Sequence, residues 1–348
     1  MTDTDRVLQQ FASQAAACDE LGSPFTARLC RLLERRLNVS SHFGRRILEW
    51  DGDPFSDNVA LRACGAIHAL ARSGWEPNLT ATYPPYELND NNLWDAISDA
   101  LRHNDVFLTE RLSSPPQTNE VGRSGWILGA MLHLASMTRM PLEVFEVGAS
   151  AGLNLAFDEY RYDFGEGRVW GDRNAPLTVE CAWRGSTPPL DAPLAVVGRH
   201  GCDLRPVDPG NADDRARLVS YVWADQVHRM HRVEAALVHA AKHHRTVDRA
   251  DAAEWLAEKL ATPQLPGTTR VVMHTIVWDY LPEAARARID RTLSTGGAEA
   301  TSQRPFARVG VEPDEVPGSA RIDLTVWPDG STVTLGRGDF HGRWAEWV

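Results

Sequence analysis

The sequence predicts an α/β protein: an all-helical N-terminal domain over residues 1–138, then a mostly parallel sheet domain over residues 139–348. Three observations predict it. Before residue 140, apolar residues recur at helical spacing, as Leu29, Leu32, Leu33 and Leu37 and again as Leu93, Ile97 and Leu101. From residue 142 short apolar runs alternate with helical stretches, the pattern of βα units around a parallel sheet. Near the C-terminus Ile322, Leu324 and Val326 alternate with polar residues. Pro328-Asp329-Gly330 then turns the chain into Val333 and Leu335, which reads as an antiparallel hairpin closing the sheet.

In the helical part, breaks fall at Asp51-Gly52-Asp53-Pro54, at Tyr83-Pro84-Pro85 and at Ser113-Ser114-Pro115-Pro116. Thr118 or Asn119 is expected to cap an amphipathic helix that carries Ile127, Leu128, Met131 and Leu134 into the core. Strands are predicted at 142–147, 193–202, 245–249, 269–275 and 305–311, with helices at 152–160, 212–243, 251–260 and 282–294. Residues 160–192 form an aromatic insertion, in which Leu177, Val179, Cys181 and Trp183 alternate like one strand of a small hairpin.

The 348 residues are enough for two domains, and 47 acidic against 36 basic residues give a formal charge of -11. Such a chain is repelled by nucleic-acid phosphates and anionic lipid, so a small-molecule partner is expected rather than nucleic acid or membrane. The densest basic run, Arg28, Arg31, Arg35 and Arg36, alternates with leucines as the wet face of a helix. Five scattered cysteines without a CxxC pair point to reduced thiols and a cytoplasmic location. The N-terminus is polar and acidic, unlike a secretory leader, and no window approaches the ~18 apolar residues of a membrane span. His228, His231, His239, His243 and His244 share one helical stretch, but no HExxH-type carboxylate accompanies them and no metal is expected.

The most informative segment is Glu146-Val147-Gly148-Ala149-Ser150-Ala151-Gly152-Leu153-Asn154-Leu155, a strand end, a glycine-bearing turn and a helix start. Gly148 permits the tight turn, and Gly152 permits close approach of the backbone to a ligand. The segment resembles motif I of S-adenosylmethionine-dependent methyltransferases: Glu146, Gly148 and Gly152 match, and Ser150 stands for the middle glycine. That resemblance implies a Rossmann-like methyltransferase fold with a seven-stranded sheet. It also implies S-adenosylmethionine as cofactor, bound by Glu146, Gly148, Ser150, Gly152 and Asn154. Gly148-Ala149-Ser150-Ala151-Gly152 also matches the G-x-S-x-G nucleophile elbow of α/β-hydrolases, with Ser150 as nucleophile. A hydrolase elbow normally follows several strands, and the 140 residues before this one read as helical. A non-catalytic nucleotide- or metabolite-binding protein is the third reading.

Downstream, Gly201-Cys202-Asp203 is similar to the second-strand segment whose carboxylate receives the ribose hydroxyls, although Asp203 also suits a turn. Its distance of 55 residues from Gly148 departs from the ~20 usual for such a partner. Asp251 resembles the adenine-edge residue after the third strand and is equally an N-cap. His274 and Asp279 fall where motif IV faces substrate. There His274 is either a general base, its pKa lying near neutral, or a hydrogen-bonded pocket residue. Together with Gln117-Thr118-Asn119-Glu120-Val121-Gly122-Arg123, these motifs are similar to an uncharacterised bacterial family known as a domain of unknown function, over most of the chain. Asn119, Glu120 and Arg123 are expected beside the glycine loop, binding the cofactor's amino-acid end or an acidic substrate; a structural salt-bridge and cap cluster is the alternative. The expected activity is methyl transfer to a small molecule, driven by alignment of the reacting groups.

Overall fold

The computed structural model describes residues 2–86 and 88–348. Two compact units divide it: the chain up to Thr118 with Ala212–His231, and Asn119–Asn211 with Arg232–Val348. The division therefore falls at 118–119 rather than 138–139, and a later stretch returns to the first unit.

The first unit is helical, without a strand among its described residues. Its α1 (Asp3–Glu20) starts in a capping box, where Thr2 accepts from the Asp5 amide and Asp5 accepts from the Thr2 amide. Pro24 opens α2 (Pro24–Arg36), whose Leu29, Leu32 and Leu33 are fully buried. The arginines of α2 form its wet face as expected: Arg28 and Arg35 both reach Asp90, at 2.6 and 2.9 Å, and Arg31 pairs with Asp19. There follow α3 (His42–Leu48), α4 (Val59–Ser73), α5 (Pro77–Thr80), α6 (Asp90–His103) and α7 (Asp105–Arg111). Phe11, Phe43, Ile47, Ile67, Leu70, Leu93 and Ile97 join the leucines of α2 in one core.

The next helix, α8 (Ser124–Thr138), belongs to the second unit, whereas α9 (Ala212–Ser220) returns to the first and α10 (Val227–Lys242) passes from one to the other at residue 231. The single helix expected over 212–243 is thus two. The chain breaks between them because the Asp225 carboxylate is drawn to the start of α2, accepting from the Phe25 amide at 2.8 Å and from the Ser23 hydroxyl. All five cysteines are free and buried. No helix of the described residues is long and apolar enough to cross a membrane.

The second unit is built on a nine-stranded, mixed and mostly parallel sheet, where seven strands were expected. Its first strand is β1 (Leu142–Val147). The insertion contributes β2 (Arg161–Asp163), β3 (Val169–Trp170) and β4 (Thr178–Glu180), which make a separate three-stranded sheet, and β5 (Ala182–Gly185), which joins the large one. The alternation from Leu177 to Trp183 is real and all four apolar residues are buried, but the run splits at Cys181 between two sheets. Then come β6 (Val196–Asp203), β7 (Asp248–Arg249), α11 (Ala252–Ala261), β8 (Thr269–Thr275), α12 (Glu283–Ala298) and β9 (Phe306–Pro313). The expected hairpin appears as β10 (Ser319–Trp327) and β11 (Ser331–Asp339), with β12 (Trp344–Trp347) beyond it.

Strand order is β5-β12-β11-β10-β9-β8-β1-β6-β7, and the five strands from β9 to β7 are parallel neighbours. The order reverses at β1: β6 and β7 extend to one side, β8 and β9 to the other. Such a reversal opens a crevice at the carboxyl ends of the strands. The helix α8 is buried all round, Trp126 to Leu132 included, rather than on one face, and packs against β10 and β4. On the other face of the sheet, Phe145, Val147, Val272 and Phe306 form a core with α11 and α12.

Candidate functional site

The turn after β1 is held by its own chain. The Gly148 and Ala149 amides donate to the Cys202 carbonyl at 2.9 Å, the Ser150 amide to the Asp203 carboxylate at 3.0 Å. Asn119 Oδ1 accepts from the amides of Ala151 and Leu153, both at 3.1 Å. Asn119 therefore does not cap the start of α8, where a 3-10 turn (Val121–Arg123) intervenes; it fastens the glycine turn instead. The helix expected at 152–160 is a 3-10 segment, Leu153–Glu159, interrupted at Ala156. Gly148 (φ 72°) and Gly152 (φ 69°) both adopt the left-handed conformation, and each is pressed by a valine. A Cβ on Gly148 would lie 2.5 Å from Val277 Cγ2, and one on Gly152 3.1 Å from Val247 Cγ2.

With its amides engaged, the turn is no cradle for phosphate. What it leaves open is oxygen. Glu146 Oε2, Ser150 Oγ and Asn154 Oδ1 are buried and have no hydrogen-bond partner among the described residues, although buried polar atoms are nearly always paired. Burial, and secondarily the nearby Asp203 charge, pushes the Glu146 carboxyl well above the usual range. Burial likewise pushes the Cys202 thiol up to about 12, which removes it as a nucleophile at neutral pH.

Each of the other sequence-predicted residues has partners within the chain. Glu120 is 1% exposed and accepts from the Gly122 amide and from Arg232, both at 2.9 Å. Arg123 donates to the Phe340 carbonyl at 3.0 Å and to the Thr275 carbonyl at 3.4 Å, at the end of the strand beside β1. Asp203 Oδ1 receives the Arg205 amide at 2.8 Å, so both carboxylate oxygens hold backbone. Asp251 caps α11, accepting from Ala253 and Glu254. Asp279 is three-quarters exposed, with Arg286 at 3.8 Å.

His274 pairs in register with Val147, so strand alternation sets its side chain on the face opposite Glu146. Its Nδ1 lies 2.6 Å from Glu312 Oε1, and its Nε2 receives Arg308 Nε at 3.0 Å. That pattern fits the neutral tautomer with the proton on Nδ1. Burial lowers the His274 pKa, and its Nε2 lone pair is engaged by Arg308. Trp278 stacks on His274 with centroids 4.7 Å apart, and the Arg308 guanidinium lies 4.4 Å from the Trp278 ring. A polar cleft of about 340 Å³ opens here, lined by Trp278, Arg308, Glu312, Arg321 and Asp323. Sequence reasoning missed Glu312, Val277, Val247 and Arg308. Glu312 and Arg308 gave a signal, as two charged residues in the otherwise apolar run of β9.

Among the described residues one group has metal-ligand composition: Glu159, His239 and His243, with ligand atoms within 4.8 Å of one another. Glu159 already pairs with Arg245 and, at 3.3 Å, with Arg199, and those positive charges oppose a cation.

Against known proteins, residues 8–347 match the family described as an uncharacterized protein conserved in bacteria (DUF2332), and the chain belongs to it. No curated protein and no solved structure matches.

Proposed function

We propose that this chain binds S-adenosylmethionine at the carboxyl end of β1 and transfers its methyl group to a small-molecule acceptor, on a Rossmann-like methyltransferase fold. The observation that carries the reading is the buried, unpartnered Glu146 carboxylate, with the Ser150 and Asn154 oxygens close in sequence. An acceptor-rich, acidic cluster suits a ligand that brings donors and positive charge, and this cofactor carries an ammonium and a sulfonium but no phosphate. The engaged amides of the turn agree, because a dinucleotide needs them free. Numbered by appearance, the parallel strands run 3-2-1-4-5, the doubly wound order with its crevice at the first strand.

The bound cofactor supplies an electrophilic methyl group. The chain's own part is to bind and orient: Glu146 and Asn154 accept from the ligand, and Asn119 and Asp203 keep the turn in shape. Alignment of donor and acceptor then provides most of the acceleration. Calorimetry with S-adenosylmethionine and S-adenosylhomocysteine, beside NAD and ADP, tests it. The first two are expected to bind and the phosphate-bearing pair not to. No heat with either adenosyl-sulfur compound defeats the proposal.

One observation favours the hydrolase reading: Ser150 is a non-glycine residue in the left-handed region (φ 54°), as a strained elbow requires. Against it, the Ser150 hydroxyl has no imidazole or any other partner to activate it. Labelling by a fluorophosphonate distinguishes the two.

A further inference from the structure

We propose that Glu312 is a positioning residue, which clamps the turn after β8 and thereby seats Val277 against Gly148, setting the shape of the glycine turn. Glu312 stands on β9, one strand away from the turn it holds. Its two carboxylate oxygens take three donors from that turn. Oε1 lies 2.6 Å from His274 Nδ1 and 3.3 Å from the Val277 amide, and Oε2 lies 3.2 Å from the amides of Val277 and Trp278.

The clamp has strain to oppose. Ile276, inside the turn, has φ 51°, a left-handed conformation that a β-branched residue rarely adopts, and its amide is tied to the Val311 carbonyl at 2.8 Å. Such a conformation persists only where the surroundings over-determine it, and two adjacent amides gathered by one carboxylate do so. The next residue, Val277, is the one whose side chain closes on Gly148. A further tie comes from the other side, where Arg123 reaches the Thr275 carbonyl. His274 supports the clamp from below: Arg308 holds its Nε2, which leaves Nδ1 to donate to Glu312. The cleft beside Glu312 holds the charged and titratable groups His274, Arg308, Arg321 and Asp323, with Asp290 behind Arg308.

The inference rests on the proposed ligand site, and its test separates the two. Glu312→Gln keeps one acceptor oxygen and loses the charge, whereas Val277→Ala leaves the clamp intact and removes the contact on Gly148. Each is expected to weaken S-adenosylhomocysteine binding by about tenfold. The double variant is expected to be no weaker than the stronger single one, because both act through the same contact. A merely structural Glu312 would give additive losses, which overturns the proposal. Amide exchange supplies a readout independent of the ligand: Glu312→Gln should speed exchange at Val277 and Trp278 while leaving Val144 in β1 protected. If the wild type binds neither adenosyl compound, the site reading fails, and the exchange arm still decides the clamp. Unchanged exchange at Val277 and Trp278 overturns it.

Discussion

The carboxyl ends of β1 and β8 are register neighbours, Val147 beside His274, yet their polar groups are treated in opposite ways. At β8 the imidazole, the Glu312 carboxylate, the Arg308 guanidinium and two backbone amides form a closed set of matched donors and acceptors. At β1 the backbone is matched, but three side-chain oxygens are buried with nothing to bond. An unmatched buried polar atom costs about 1–3 kcal/mol, so three in one turn are a standing destabilisation. Folding alone gives no reason to keep them, whereas a ligand that satisfies them does. On the proposed reading the matched end is scaffold and the unmatched end is the ligand site.

Glu146→Gln strikes at the unmatched end. S-adenosylmethionine binding is expected to weaken by about ten- to a hundredfold, since the ligand's cationic donor ionises the Glu146 carboxyl on binding and an amide cannot supply that charge. The ligand-free protein is expected to become more stable at neutral pH, because its folded carboxyl is raised, by burial first and Asp203 second. The unfolded chain releases that proton near 4.5 while the folded chain keeps it, so wild-type stability declines as pH rises from there. The variant lacks that decline. Denaturant titrations from pH 5 to 8 check the slope. A variant that binds normally, or that loses stability at every pH, removes the contrast between the two ends.

Arg308→Ala tests the matched end, and its sign is opposite. The His274 pKa is lowered, by burial first, and the Arg308 charge acts in the same direction. Below 6.5 the unfolded histidine takes up a proton that the folded one refuses, so this contribution is lost as pH falls through 6.5. Removing Arg308 is expected to raise the His274 pKa, followed by NMR titration, and so to shrink the loss on the acid side. At pH 7 it is expected to cost about 1–2 kcal/mol, for the hydrogen bond to Nε2 and the partly exposed pair with Asp290. An unmoved His274 pKa contradicts the closed set.

How legible these ends were in the sequence follows from how local their causes are. Thr269–Thr275 was bounded correctly because a dense apolar run between turn residues leaves little choice of register. The hairpin of β10 and β11 was legible for the same reason, with Pro328-Asp329-Gly330 supplying the turn. The glycine turn was legible as a turn, since the strand end and both glycines lie within a few residues. Its partners were not. Asn119 read as a cap because its local surroundings permit one, and only the fold reveals the amide donors 32 and 34 residues away that its Oδ1 accepts from. Val277, Val247 and Glu312 reach the turn or its neighbour across strands, through pairings that no single segment encodes. Strand β12 was missed because its pairing is decided by what lies alongside, and the helix expected at 152–160 is a 3-10 segment because Ala156 leaves helical geometry.

Ser150→Gly is the mildest change and separates the two chemistries of the unmatched end. A left-handed serine costs about 1–2 kcal/mol that glycine does not, while glycine makes the unfolded chain more flexible by about 0.5–1 kcal/mol. The net shift in stability is expected to stay within about 1 kcal/mol in favour of the variant. Removing an unpartnered buried hydroxyl works in the same direction. The Ser150 amide, which holds Asp203, is untouched by the change, so the turn keeps its shape. Cofactor binding should therefore be preserved or improved, measured by calorimetry on both proteins. Under the hydrolase chemistry the same substitution deletes the nucleophile, and fluorophosphonate labelling of the wild type at Ser150 would vanish in the variant. Stoichiometric labelling of the wild type would make the unpartnered hydroxyl a reactive group, and the acceptors around Glu146 would then serve an acyl-transfer site instead of a sulfonium.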